Sequence, residues 1–156
     1  MIKSVKFWDR MRAAAYTYQP HEHVISIRDP GDPPVNFQGS PGDVRTLAFY
    51  DVVDTVKVRE SFTAHPMSKN DAAHIDHIIR QWDKVPEHID VIVHCVAGAS
   101  RSAAVALYIH HVTGCEFPTM SFANNANLHV LGELGKAGNT DPMPTYKQML
   151  DLGSLT

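Results

Sequence analysis

The spacing of apolar and polar positions changes period several times along the chain. Residues 4–7 and 23–27 are short runs with β-branched or aromatic side chains, and both predict strands. Between them, an Ala-rich stretch reaching Ala15 predicts a short helix that Asp9 can cap. The segment from residue 29 to residue 34 contains Pro30, Gly31, Pro33 and Pro34. It cannot continue a ladder and predicts a surface loop. A turn at Ser40, Pro41, Gly42 and Asp43 precedes a compact strand over 44–49. That strand delivers Tyr50, Asp51 and Asp54 into the next loop, where carboxylates just past a strand end are well placed for chemistry.

Over residues 69–82 the period becomes helical. Ala72, Ile75, Ile78, Ile79 and Trp82 recur at three- and four-residue intervals, which gives one apolar face, with Ser68 or Asn70 as cap. Val91, Ile92 and Val93 then form a short apolar run ending at His94, as expected of a strand buried on both faces at the centre of a sheet. Such a strand usually belongs to an α/β domain. A glycine-containing loop over 95–101 follows, then a run of small and apolar residues from Ser102 that predicts a buried helix ending near Gly114. Two further helices are expected over 120–134 and 145–152, separated by the Gly, Asn and Pro residues of 135–144. With no repeat and no long linker, residues 1–156 read as a single domain.

Composition narrows the function classes. The 156 residues are 44% hydrophobic and 20% charged, which suits one globular domain with a continuous core. A formal net charge of −3 offers no basic stripe for nucleic acid or an anionic membrane surface, so an anionic ligand needs a local site. The longest apolar stretches fall well short of the roughly 20 residues a membrane-spanning helix requires. Two cysteines, Cys95 and Cys115, and the lack of a leader-like start give a reducing cytoplasm as the expected location.

The loop over 95–101 carries the candidate chemistry. Where a strand runs through a short loop into a helix, several backbone N–H groups lack intrahelical partners, and the helix dipole adds partial positive charge. An anion fits there. Arg101 adds a planar fork matching two phosphate oxygens, and Gly98 permits a tight turn with no side chain in the way. Cys95, at the first position, lies where positive surroundings favour the nucleophilic thiolate. His94 and Ser102 are expected to hold that thiolate by hydrogen bonds.

The string His94, Cys95, Val96, Ala97, Gly98, Ala99, Ser100, Arg101, Ser102 resembles the HCxxGxxR(S/T) signature of the protein tyrosine phosphatase superfamily. Together with the short chain and residues 46–51, it looks most like the compact dual-specificity branch. The resemblance reaches, more weakly, from about Val24 to Gly114. It implies a central, mainly parallel sheet flanked by helices, and a phosphocysteine intermediate. It also implies a phosphate cradle made of Val96, Ala97, Gly98, Ala99, Ser100 and Arg101, and a general acid on an aspartate loop. Asp51 is the first choice for that acid, with Asp54 the alternative. The cradle has no lysine of the kind found in phosphoinositide phosphatases of the superfamily, which favours a phosphotyrosine-bearing or mixed phosphorylated protein or peptide as substrate. No cofactor is implied, and oligomeric state is left open.

Two other classes compete: a rhodanese-like sulfurtransferase, which also displays a cysteine in an anion-cradling loop, and a non-catalytic phosphate-binding module. Ser102 and the upstream aspartates argue against the first, and the presence of both Cys95 and Arg101 argues against the second. The pairs His74 with His77, and His110 with His111, lack the Cys or carboxylate spacing of a zinc site, so no metal is expected. Cys115 reads as a buried helix-end residue.

Overall fold

The computed structural model describes residues 1–52 and 65–154. The sequence alternative Asp54 lies outside these residues. A four-stranded parallel sheet forms the centre, in the order β1 (Ile2–Trp8), β6 (Ile89–His94), β3 (Glu22–Arg28), β5 (Asp43–Ala48). A second, two-stranded parallel pair joins β2 (Thr17–Tyr18) to β4 (Gln38–Gly39), neither of which the sequence pattern predicts. Among the described residues the helices are α1 (Arg10–Ala15), α2 (Lys69–Lys84), α3 (Arg101–Thr113), α4 (Leu128–Ala137) and α5 (Tyr146–Ser154). The chain is therefore α/β, with a mainly parallel central sheet flanked by helices.

Alternation along the two central strands explains why both are apolar on consecutive positions. Ile25, Ile27, Val91 and Val93 join the larger core with the buried residues of α2, α3 and α4. Val24 and Ile92 point the other way, into a smaller cluster with Trp8, Ala13 and Tyr18. Successive side chains of a strand face opposite sides, so a strand covered on both sides has no polar alternation to display.

Local chemistry sets the helix limits. Ser68 and Asp71 form a reciprocal capping box at the start of α2, whose buried face is Ala72, Ile75, Ile78, Ile79 and Trp82. Helix α3 is buried along residues 101–109 and ends at Gly114, which adopts the left-handed conformation with φ of 72°. The single helix expected over 120–134 is instead a 3-10 turn at Met120–Phe122 followed by α4. The division arises because the Asn127 side chain accepts from the Val130 amide and so starts a new helix at Leu128. Helix α4 then runs past Gly135, beyond the expected end at residue 134.

Because all four central strands are parallel, their carboxyl ends lie along one edge. Trp8 pairs with His94, Ser26 with His94, and Arg28 with Ala48. The residues that follow these strands, Asp9, Asp29, Phe49 to Asp51, and Cys95, are thereby gathered at one place. Open parallel sheets bind ligands outside the carboxyl ends of their strands. Among the described residues no helix is long and apolar enough to cross a membrane.

Candidate active site

The loop from Cys95 to Ser100 turns from β6 into α3 and closes around the Cys95 sulfur. Sγ receives the Gly98 amide at 3.3 Å and lies 3.1 Å from the Ser102 hydroxyl. Cys95 is only 2% exposed and sits on the floor, whereas Val96 and Ala97 on the rim are open to solvent. Ser100 is the N-cap residue of α3, yet its side chain makes no capping hydrogen bond. Its hydroxyl donates instead to Asp51 Oδ1 at 2.7 Å, so no side chain occupies the amides of the first turn. Among the described residues the amides at the start of α3 are thus left without a side-chain cap, the arrangement that favours an anion at a helix terminus.

Gly98 has φ of +67°, and the segment behind it allows no side chain. An added Cβ would lie 2.5 Å from the Trp8 carbonyl carbon and would also collide with the Asp9 backbone nitrogen. The junction of β1 and α1 braces the loop further: Cys95 N donates to Trp8 O at 3.3 Å and Arg10 N to Val96 O at 3.2 Å. Asp9 itself caps α1 by accepting from Arg12 N, which fixes the turn that presses on Gly98.

Arg101 is 3% exposed, and its Nη1 is anchored twice. Its Nη1 donates to Asp29 Oδ1 at 2.7 Å and to the Phe49 carbonyl at 2.6 Å. Its Nε is buried and, among the described residues, has no hydrogen-bond partner. A buried guanidinium donor without a partner is costly unless a ligand completes it, and an oxyanion is the natural complement. The Asp29 loop is in turn pinned by two arginines. Arg10 Nη2 donates to Pro33 O at 2.7 Å, and Arg28 Nη1 donates to Asp32 O.

Across the loop stands Asp51, exposed on its outer side. Its Oδ1 accepts from Ser100 Oγ and, at 2.9 Å, from Asn127 Nδ2. The fold therefore ties Asp51 to Ser100, the last residue of the loop before Arg101.

His94 departs from expectation. Its ring does not contact Sγ: Nε2 meets Ser26 Oγ at 2.6 Å, and Nδ1 is 3.4 Å from the Cys95 carbonyl. The reason is strand alternation, which sends His94 to the face opposite Cys95, where it packs edge-on against Phe37. Burial, the largest influence, lowers its pKa from the ordinary 6.5, against the smaller upward effect of the Cys95 carbonyl. A neutral ring with its hydrogen on Nδ1 donates to that carbonyl and accepts from Ser26, so His94 fixes the start of the loop rather than the thiolate.

Sequence reasoning missed Asp29, Asn127 and Ser26. Asp29 follows β3 as Asp51 follows β5, so the rule that singled out the one applies equally to the other. Asn127 stands three residues before Val130 at a helix start, the position of a side-chain cap. Cys115 is a free, buried thiol just beyond α3, and burial pushes it up. Among the described residues no three His, Cys, Asp or Glu side chains gather as a metal site.

No protein-family model matches the chain, and no curated protein is similar to it.

Proposed function

We propose that the chain is a cysteine-dependent phosphatase that hydrolyses phosphomonoesters through a phosphocysteine intermediate. Within that class it is a member of the compact dual-specificity branch, acting on phosphotyrosine-bearing or mixed phosphorylated proteins or peptides. One observation carries this reading: the Cys95 sulfur accepts the Gly98 amide in a loop that leads into a buried arginine whose Nε has no partner among the described residues, and Asp51 is tied to that loop through Ser100.

In the first step the Cys95 thiolate attacks phosphorus. The S–P bond forms, the P–O ester bond breaks, and Asp51 gives its proton to the departing oxygen. The loop amides and the free edge of Arg101 bear the charge of the equatorial oxygens. In the second step the Asp51 carboxylate takes a proton from water, and the water oxygen bonds to phosphorus. The S–P bond then breaks, and the Ser102 hydroxyl can donate to the released thiolate. A sulfur-transfer reaction leaves Asp51 without a leaving group to protonate.

The test offers the purified protein phosphotyrosine and phosphoserine peptides, a phosphoinositide, a nucleotide and thiosulfate. Phosphate release from the phosphotyrosine peptide is expected, with Cys95→Ser retaining under about a hundredth of it, since an alcohol is a far weaker nucleophile at neutral pH. Sulfur transfer from thiosulfate without phosphate release from any ester would overturn the reading.

A further inference from the structure

The geometry points to Asn127 as the positioning residue that decides which oxygen of Asp51 carries the proton, an inference that rests on the reading of Asp51 as the acid. Asn127 is 6% exposed and uses both ends of its side chain as well as its backbone amide. Its Oδ1 accepts from Val130 N at 3.1 Å, and its Nδ2 donates to Asp51 Oδ1 at 2.9 Å and to Val52 O at 3.2 Å. Its backbone amide donates to Ser100 O at 3.1 Å. The helix amide demands an acceptor, so the amide nitrogen must face the carboxylate, and the side chain has one orientation that satisfies both. One residue thus ties together the cap of α4, the last residue of the phosphate loop before Arg101, and the aspartate loop.

The consequence lies in the two oxygens of Asp51. Ser100 Oγ and Asn127 Nδ2 both donate to Oδ1. A carboxylate oxygen has two lone-pair sites, and two donors engage both. Protonating Oδ1 would cost at least one of these hydrogen bonds, whereas protonating Oδ2 costs neither. The proton is directed to Oδ2, the oxygen left to meet a leaving group above the cradle. Pinning also matters because Asp51 is exposed, and an exposed side chain otherwise spends its time among several rotamers. Through Nδ2, Asn127 acts on the reaction by way of Asp51.

The discriminating substitution is Asn127→Asp. Aspartate caps a helix about as well as asparagine, so the start of α4 is kept, while the donor facing Asp51 becomes a second carboxylate. We measure kcat/KM for a series of aryl phosphates whose leaving groups span several pKa units, together with the thermal midpoint. The expected result is a loss of about 10- to 100-fold on the poorest leaving groups. On the best ones the loss should be at least tenfold smaller, because those depart without a proton. In an Asp51→Asn background the same substitution should add no further loss. A loss equal across the series, or losses that add in the double variant, would show Asn127 to be structural and overturn the inference. Asn127→Ser, which keeps a capping oxygen but cannot reach Asp51, repeats the test if the two carboxylates keep Asn127→Asp from folding. A wild-type chain that releases no phosphate from any member would instead overturn the phosphatase reading, and this role with it.

Discussion

Replacing Asp29 by Ala tests whether the cradle depends on a carboxylate outside the signature loop. Among the described residues Asp29 is one of two groups that hold Nη1 of Arg101, at 2.7 Å, and the arginine is 3% exposed. Removing one partner of a fully buried ion pair costs about 3–5 kcal/mol, because the remaining charge is stranded. Two facts reduce that figure here. The Asp29 side chain is 36% exposed, so water reaches and screens it, and the Phe49 carbonyl stays on the same nitrogen. The expected cost is therefore about 1–3 kcal/mol, the range for leaving one buried polar group without its partner. Most of it should fall on the phosphate-bound states, since a guanidinium freed on one edge no longer presents Nε in a fixed plane. At about 1.4 kcal/mol per tenfold, kcat/KM for an aryl phosphate should drop roughly 5- to 150-fold. The inhibition constant of inorganic phosphate should rise in step. Asp29→Asn keeps an acceptor without the charge and should fall between the two. An Asp29→Ala variant within twofold of wild type in both measurements would refute the argument that Nη1 must be held for Nε to bind.

Arg101→Lys keeps the charge but loses the planar fork, and turnover should fall by at least about a hundredfold because bidentate contact is lost. Gly98→Ala meets backbone atoms of Trp8 and Asp9 as well as a positive φ, so a destabilisation of about 2–4 kcal/mol is expected. The thermal midpoint should fall by roughly 5–15 °C. Acid sensitivity follows from His94, whose folded pKa is lowered below 6.5 by burial. Below about pH 6.5 the unfolded chain binds a proton that the folded chain refuses, so stability should fall as pH drops from 6.5 through the folded value. Urea midpoints at pH 7.5 and 5.5 should differ less in His94→Asn, and an equal difference in both proteins would refute the assignment.

What the sequence displays is whatever is local. The strand over 90–94 and the helix over 69–82 announce themselves because burial repeats at a fixed short period, and each is found within about two residues of the expected limits. Cys95, Gly98, Arg101 and Ser102 fall within eight consecutive residues, so their contacts are written in one string. Asp29 and Asn127 reach their partners across 72 and 76 residues, and no spacing rule spans such distances. The two-residue strands β2 and β4 are too short for any period to show. The reading of 120–134 as one helix failed because apolar spacing continues through Ala123, Ala126 and Leu128, while a single side-chain hydrogen bond from Asn127 decides where the helix begins. His94 was misassigned for a different reason. Adjacency in sequence suggested a partner for the thiol, whereas a strand sends neighbours to opposite faces.

The bracing of the cradle by distant segments also bears on how the protein folds. Arg101 meets Phe49 and Asp29 across 52 and 72 residues, and Asn127 meets Asp51 across 76. Contacts between distant positions carry a loop-closure cost before they return any stabilisation, and they slow folding compared with local helix contacts. A partly folded chain can form α2 and α3 while its Cys95 still lacks the surroundings that make it a site. Recovery of activity during refolding should therefore lag behind recovery of helix signal. The contacts that surround Cys95 are complete only once these distant segments have met, and folding then also takes its sulfur out of solvent.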